Sequence, residues 1–150
     1  MRLEEEIKQK EFRNENHKAI VNLIYTFNWL DSKARTFFKQ FELTPQQFNI
    51  LRILRGQHPK PCTIILLKER MLDKECDASR IVERLRLKEL LERTQSSSDR
   101  RSVDIMISEK GLELLNEIDK KIDNFNNIIS SLSKEDLLKL NQLLDKARGK

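Results

Sequence analysis

The chain has 150 residues, a net charge of +5 and charged side chains at 35% of positions. Leu occurs 22 times against three Val, with only three Gly and three Pro. A mostly-β sandwich or barrel is thereby excluded, and long solvated helices are expected. No apolar run approaches the roughly 18 residues of a membrane span. The acidic start Met1-Arg2-Leu3-Glu4-Glu5-Glu6 lacks the apolar core of a signal segment. Cys62 and Cys76 form neither a CxxC nor a disulfide framework. Reduced thiols suit a cytoplasmic protein without membrane contact.

Between residues 12 and 41, Phe12, Ile20, Leu23, Ile24, Phe27, Leu30, Ala34, Phe37, Phe38 and Phe41 recur mostly at steps of three and four. This spacing predicts a long amphipathic helix that stops near Glu42. Thr44-Pro45-Gln46-Gln47 then reads as a helix start: Thr44 caps, Pro45 takes the first helical position and Gln47 completes a capping box. Phe48, Leu51 and Leu54 form its inner face, and Gly56 is expected to end it in a left-handed conformation. The prolines of His58-Pro59-Lys60-Pro61 impose a loop.

Thr63 to Met71 reads as a short helix with Ile64, Leu67 and Met71 inward. Asp77 is expected to cap a helix over 77–90, with Ile81, Val82 and Leu85 inward and Ser79, Arg80, Glu83, Arg84 and Lys88 outward. After Leu91 the period changes. Residues 91–94 and 103–107 read as two strands, joined by a polar hairpin loop from Gln95 to Ser102. Ser108 is expected to cap a second long helix carrying Leu112, Leu115, Ile118, Ile122, Phe125 and Ile129. Ser133 with Asp136 starts a last helix carrying Leu137, Leu140, Leu144 and Ala147.

The expected fold is therefore mainly α with a small β-hairpin wing. A winged helix-turn-helix over 43–107 is flanked by dimerisation helices at 1–42 and 108–150. Some 60 residues bury only about 60% of their unfolded surface. The apolar stripes of the flanking helices therefore call for a partner surface, and a symmetric homodimer supplies it.

Six of the thirteen arginines, Arg80, Arg84, Arg86, Arg93, Arg100 and Arg101, fall within residues 80–101. Arginine presents a planar fork of donors suited to phosphates and guanine edges. The clustering points to double-stranded DNA, with helix 77–90 in the major groove and Ala78, Ser79 and Arg80 toward base edges, Arg84 one turn on. The hairpin tip Ser98-Asp99-Arg100-Arg101 is expected in the adjacent minor groove, with Asp99 paired to a nearby arginine. Thr63, which opens the preceding helix, completes the expected DNA-contact set. A solvated helix face with intrahelical pairs such as Glu83–Arg86 is the competing reading.

The run Asp99-Arg100-Arg101-Ser102-Val103-Asp104-Ile105-Met106-Ile107-Ser108-Glu109-Lys110-Gly111 resembles the wing signature of the MarR family of bacterial regulators. Leu43-Thr44-Pro45-Gln46-Gln47-Phe48-Asn49-Ile50-Leu51 resembles the family's second helix, and Ser79-Arg80-Ile81-Val82-Glu83-Arg84-Leu85 its recognition helix. The resemblance implies a homodimer that binds a pseudo-palindromic operator and represses transcription. It also implies release by a small aromatic or phenolic effector, for which Trp29 and Phe38 on the first long helix are pocket candidates. Other members respond to cysteine oxidation. Cys62 and Cys76, each near a helix start where a thiol pKa is lowered, are redox candidates.

One departure stands out: Glu89 occupies the position of a glycine common in the family after the recognition helix. Either the turn is strained or the helix runs on. With the apolar run Ile64-Ile65-Leu66-Leu67, it motivates the alternative of a helical dimer that binds a protein and has lost specific DNA recognition. There is no Gly-rich phosphate loop, nucleophile motif or trusted metal spacing. No cofactor, metal, catalytic residue or enzyme activity is expected.

Overall fold

The computed structural model describes residues 2–96 and 102–149. A short helix α1 (Leu3–Glu6) precedes the long α2 (Glu15–Lys39). Then come α3 (Pro45–Gln57), α4 (Ile64–Arg70) and α5 (Ala78–Leu87), the antiparallel strands β1 (Leu91–Gln95) and β2 (Val103–Ile107), α6 (Glu109–Asp119), α7 (Ile122–Asn126), a 3-10 turn (Asn127–Ile129) and α8 (Lys134–Ala147). Among the described residues, no helix is long and apolar enough to cross a membrane.

Most boundaries follow from side-chain caps. Asn14, Thr44, Thr63, Asp77, Ser108 and Ser133 each accept a hydrogen bond from a backbone N–H in the first turn. Thr44–Gln47 and Ser133–Asp136 are full capping boxes. Three expectations need correction. The first long helix begins at Glu15 rather than Phe12, because the Asn14 carboxamide takes the His17 N–H at 2.8 Å. Gly56 stays helical, and α3 ends one residue later at Gln57, with His58 at the cap. The helix after Ser108 breaks at Lys120–Lys121. Beyond the break, Phe125 lies against Phe37 and Phe38 of α2, with ring centroids 5.5 and 5.9 Å apart. The short α1 carried no sequence signal. It packs through Leu3 and through a Glu4–Lys18 ion pair of 2.5 Å to α2.

The core lies where α3 meets α2, α5, β2 and α6. Ile50 and Leu51 of α3, Leu67 of α4, Ala78, Val82 and Leu85 of α5, Ile105 of β2 and Leu115 and Ile118 of α6 have no exposed surface. The strands pair Leu91 with Ile107, Arg93 with Ile105 and Gln95 with Val103. Cys62 extends the sheet: its N–H and C=O each bond Ile105 at 2.8 Å, which ties the loop before α4 to the wing.

The joint between α5, β1 and α6 is tight. Helix α5 ends at Leu87, and Glu89, two residues on, turns the chain in a left-handed conformation with φ 62. That conformation costs a non-glycine residue about 1–2 kcal/mol. The Glu89 carbonyl accepts the Ser108 hydroxyl at 2.7 Å, and its carboxylate meets Lys110 at 2.9 Å. Gly111 sits against the same turn: a Cβ there would stand 2.3 Å from the Leu90 carbonyl oxygen and 2.8 Å from Ile107 Cγ1.

Two substitutions at this joint test the account, both read by urea unfolding. Gly111→Ala is expected to lose about 1–3 kcal/mol through overpacking, although alanine is the better helix former. Unchanged or raised stability would contradict the packing. Glu89→Gly is expected to hold or raise stability by up to about 1 kcal/mol, since it relieves the backbone and gives up only a solvated ion pair. A loss of stability would show that the Lys110 contact outweighs the strain.

Candidate nucleic-acid interface

Helix α5 divides cleanly. Ala78, Val82 and Leu85 face inward, while Ser79, Arg80 and Arg84 are exposed. Ala78 is therefore removed from the expected base-contact set: its side chain is fully buried in the core. At 100° per residue, positions 78, 82 and 85 share one face and Arg80 points away from it. The Arg80 N–H is held by the Asp77 cap at 3.0 Å, which fixes the start of the helix. Among the described residues, the Arg80 and Arg84 guanidiniums have no carboxylate partner.

Arg86 and Arg93 differ. Both bond the Glu83 carboxylate: Arg86 at 2.8 and 3.0 Å, Arg93 of β1 at 3.2 Å. The Arg86 hydrogen bonds, chiefly, hold the Glu83 carboxyl below the usual carboxylate range. The competing reading of intrahelical pairing thus applies to Arg86. Thr63 is half-buried and caps α4, its hydroxyl accepting the Leu66 N–H at 3.2 Å. The expected wing-tip contacts Ser98, Asp99, Arg100 and Arg101 lie outside the described residues.

The effector-pocket expectation divides too. An open cavity of about 630 Å³ lies between α2, α3 and α7. Phe38 lines it, with Phe27, Phe48, Phe125 and Arg52. Trp29 does not: two residues from Phe27 is about 200° around the helix. Phe27, Leu30, Asp31, Ala34 and Phe38 share the lining face at steps of three and four, a signal present in the sequence. Arg52, 5.8 Å from the Phe48 ring centroid, carried none.

The expectation of lowered thiol pKa values at Cys62 and Cys76 also needs correction. Burial raises the Cys62 thiol above its ordinary pKa, and burial followed by Asp73 raises Cys76. Cys62 lies before α4 in a bridge to β2, and the Cys76 Sγ–H donates to the Asp73 carbonyl at 3.1 Å. Neither is a low-pKa thiol at a helix start. Because only the thiolate reacts, raised pKa values predict slower alkylation than free cysteine at pH 7.5, accelerating as pH rises through 9. Alkylation of either thiol at or above the free-cysteine rate at pH 7.5 would contradict this.

Comparison with known proteins agrees with the geometry. The MarR family profile matches residues 43–103. A MarR transcription factor from Planctomyces limnophilus is 27% identical, with a TM-score of 0.70 over 90% of this chain and 98% of that one. A mutant of MarR from E. coli complexed with operator DNA is 21% identical, with a TM-score of 0.78 over 92% and 99%. BpsR of Bordetella bronchiseptica, whose DNA binding is regulated by 6-hydroxynicotinic acid, is 20% identical, with a TM-score of 0.75 over 84% and 89%. A search of curated proteins finds no match. The profile match over α3 to the wing, with the fold shared across nearly the whole chain, makes the protein similar to the MarR family of winged-helix regulators.

Proposed function

We propose that the protein is a dimeric, sequence-specific DNA-binding transcription regulator of the cytoplasm, a repressor at a pseudo-palindromic operator. The observation that carries this reading is the exposed pair Arg80 and Arg84, without a carboxylate partner among the described residues and set on a helix whose opposite face is locked in the core. Arg80 supplies the bidentate guanine contact, worth about 1–3 kcal/mol of discrimination. Ser79 lies beside it, and Thr63 at the α4 start adds a backbone contact. At the wing, Arg101 enters the minor groove, with Ser98, Asp99 and Arg100 around it.

Dimerisation has support in what one chain leaves uncovered. Ile20, Leu23, Ile24, Phe27 and Leu30 of α2 and Leu138, Leu140 and Leu143 of α8 are exposed. No residue of α8 is buried. Such stripes on two flanking helices suit a second copy of the chain. An aromatic or phenolic effector fits the cavity lined by Phe27, Phe38, Phe48 and Phe125, and its entry would release DNA. The regulation of BpsR by 6-hydroxynicotinic acid supports that class. No enzymatic role is proposed.

The protein-binding alternative draws on Ile65, 70% exposed on α4, and on Leu87 at the end of α5. Selection of bound duplexes from a random library at about 150 mM salt separates the readings. DNA recognition predicts an enriched inverted repeat with half-sites about one helical turn apart. No enrichment by a folded dimer favours the alternative. With the enriched duplex in hand, Arg80→Ala is expected to lose about five- to a hundredfold in specific affinity while binding to unrelated DNA changes little. Equal losses on both duplexes would place Arg80 on phosphate instead.

A further inference from the structure

Glu83 is the only acidic residue of α5, and it lies on the flank of the exposed face rather than in the core. Its carboxylate accepts three N–H bonds from two guanidiniums. Oε1 takes Arg86 Nη2 at 2.8 Å; Oε2 takes Arg86 Nε at 3.0 Å and Arg93 Nη1 at 3.2 Å. Arg86 belongs to the last turn of α5 and Arg93 to β1. The three side chains therefore join the reading helix to the first strand of the wing. All three are between a third and a half exposed. Beside them runs an open groove of about 420 Å³, lined by Arg86, Arg93, Thr94, Gln95, Ser102 and Val103.

Two arginine forks converging on one anion offer the donor geometry that also suits a phosphate. A duplex backbone passing this flank would meet both guanidiniums if the carboxylate were absent. We propose that Glu83 is a specificity-determining residue: its carboxylate occupies Arg86 and Arg93 in place of DNA phosphate and fixes the wing strand against the reading helix. Sequence-independent attraction is thereby reduced on this flank, and Arg80 and Arg84 carry a larger share of the binding. The inference rests on the DNA-binding reading above.

The test is equilibrium binding of Glu83→Gln and wild type to the enriched duplex and to an unrelated duplex of equal length, across a salt series. The glutamine keeps the size and removes the charge. Freed arginines are expected to tighten unrelated-duplex binding at low salt and steepen the salt dependence by about one to two units, at ~0.9 per added phosphate contact. The ratio of specific to unrelated affinity falls. Unchanged slopes, or a parallel fall on both duplexes at constant slope, would overturn the proposal and leave Glu83 a structural residue.

If Glu83→Gln fails to fold, Arg93→Gln serves. It removes the strand's tie without freeing a second cation. The expected result is weaker binding to the enriched duplex, by about tenfold, with no steepening on the unrelated one. Wild-type behaviour on both would overturn the link between strand and helix. A wild-type protein without salt-dependent DNA binding would remove the DNA reading and this inference together. Salt-dependent wild-type binding with an identical Glu83→Gln slope removes this inference alone.

Discussion

Burial of one face of α5 holds the proposed interface together. Ala78, Val82 and Leu85 have no exposed surface, and burying a valine or leucine side chain contributes about 1.5–3 kcal/mol. With that face fixed against α3 and α4, the helix cannot rotate about its own axis, and Arg80 and Arg84 are committed to solvent. The Asp77 cap sets where the helix begins. The left-handed turn at Glu89 sets where it ends and launches β1 toward the wing. A small apolar contact set thus positions the charged groups that give the module its chemistry.

The joint at Glu89 shows how a local conflict is accommodated. Glutamate is a poor choice for positive φ, yet the turn forms, because neighbours on α6 hold it. Ser108 bonds the carbonyl, Lys110 the carboxylate, and Gly111 leaves room for the Leu90 backbone. Tertiary contacts override a local preference here. The same segment ties α5 to α6, and Arg55 of α3 reaches Asp119 at the far end of α6 at 2.6 Å. Helices α3 and α5 are thus coupled to the two ends of α6.

Much of this was legible in the sequence, because helix starts are written in single residues. Asp77, Thr44, Ser108 and Ser133 each announce a cap, and each cap is formed. The wing strands follow from alternation at Val103, Ile105 and Ile107. Periodicity failed where it ran on past a break: Leu112 to Ile129 keep helical spacing across Lys120–Lys121, and only the packing of Phe125 on α2 shows the change of direction. Ala78 was misplaced because position at a helix start does not specify which face is buried. Trp29 was misplaced by counting aromatic residues rather than their angle around α2. The thiol shifts were out of reach, since burial of Cys62 depends on its bridge to Ile105, 43 positions away.

We propose that two copies of α5, held by a dimer of the flanking helices, read two successive major grooves. A hydroxyl-radical footprint on an enriched duplex is the decisive measurement. Two protected patches are expected on one face of the duplex, with centres about 10 base pairs apart. A single protected patch, or uniform protection without a repeat, would contradict the proposal.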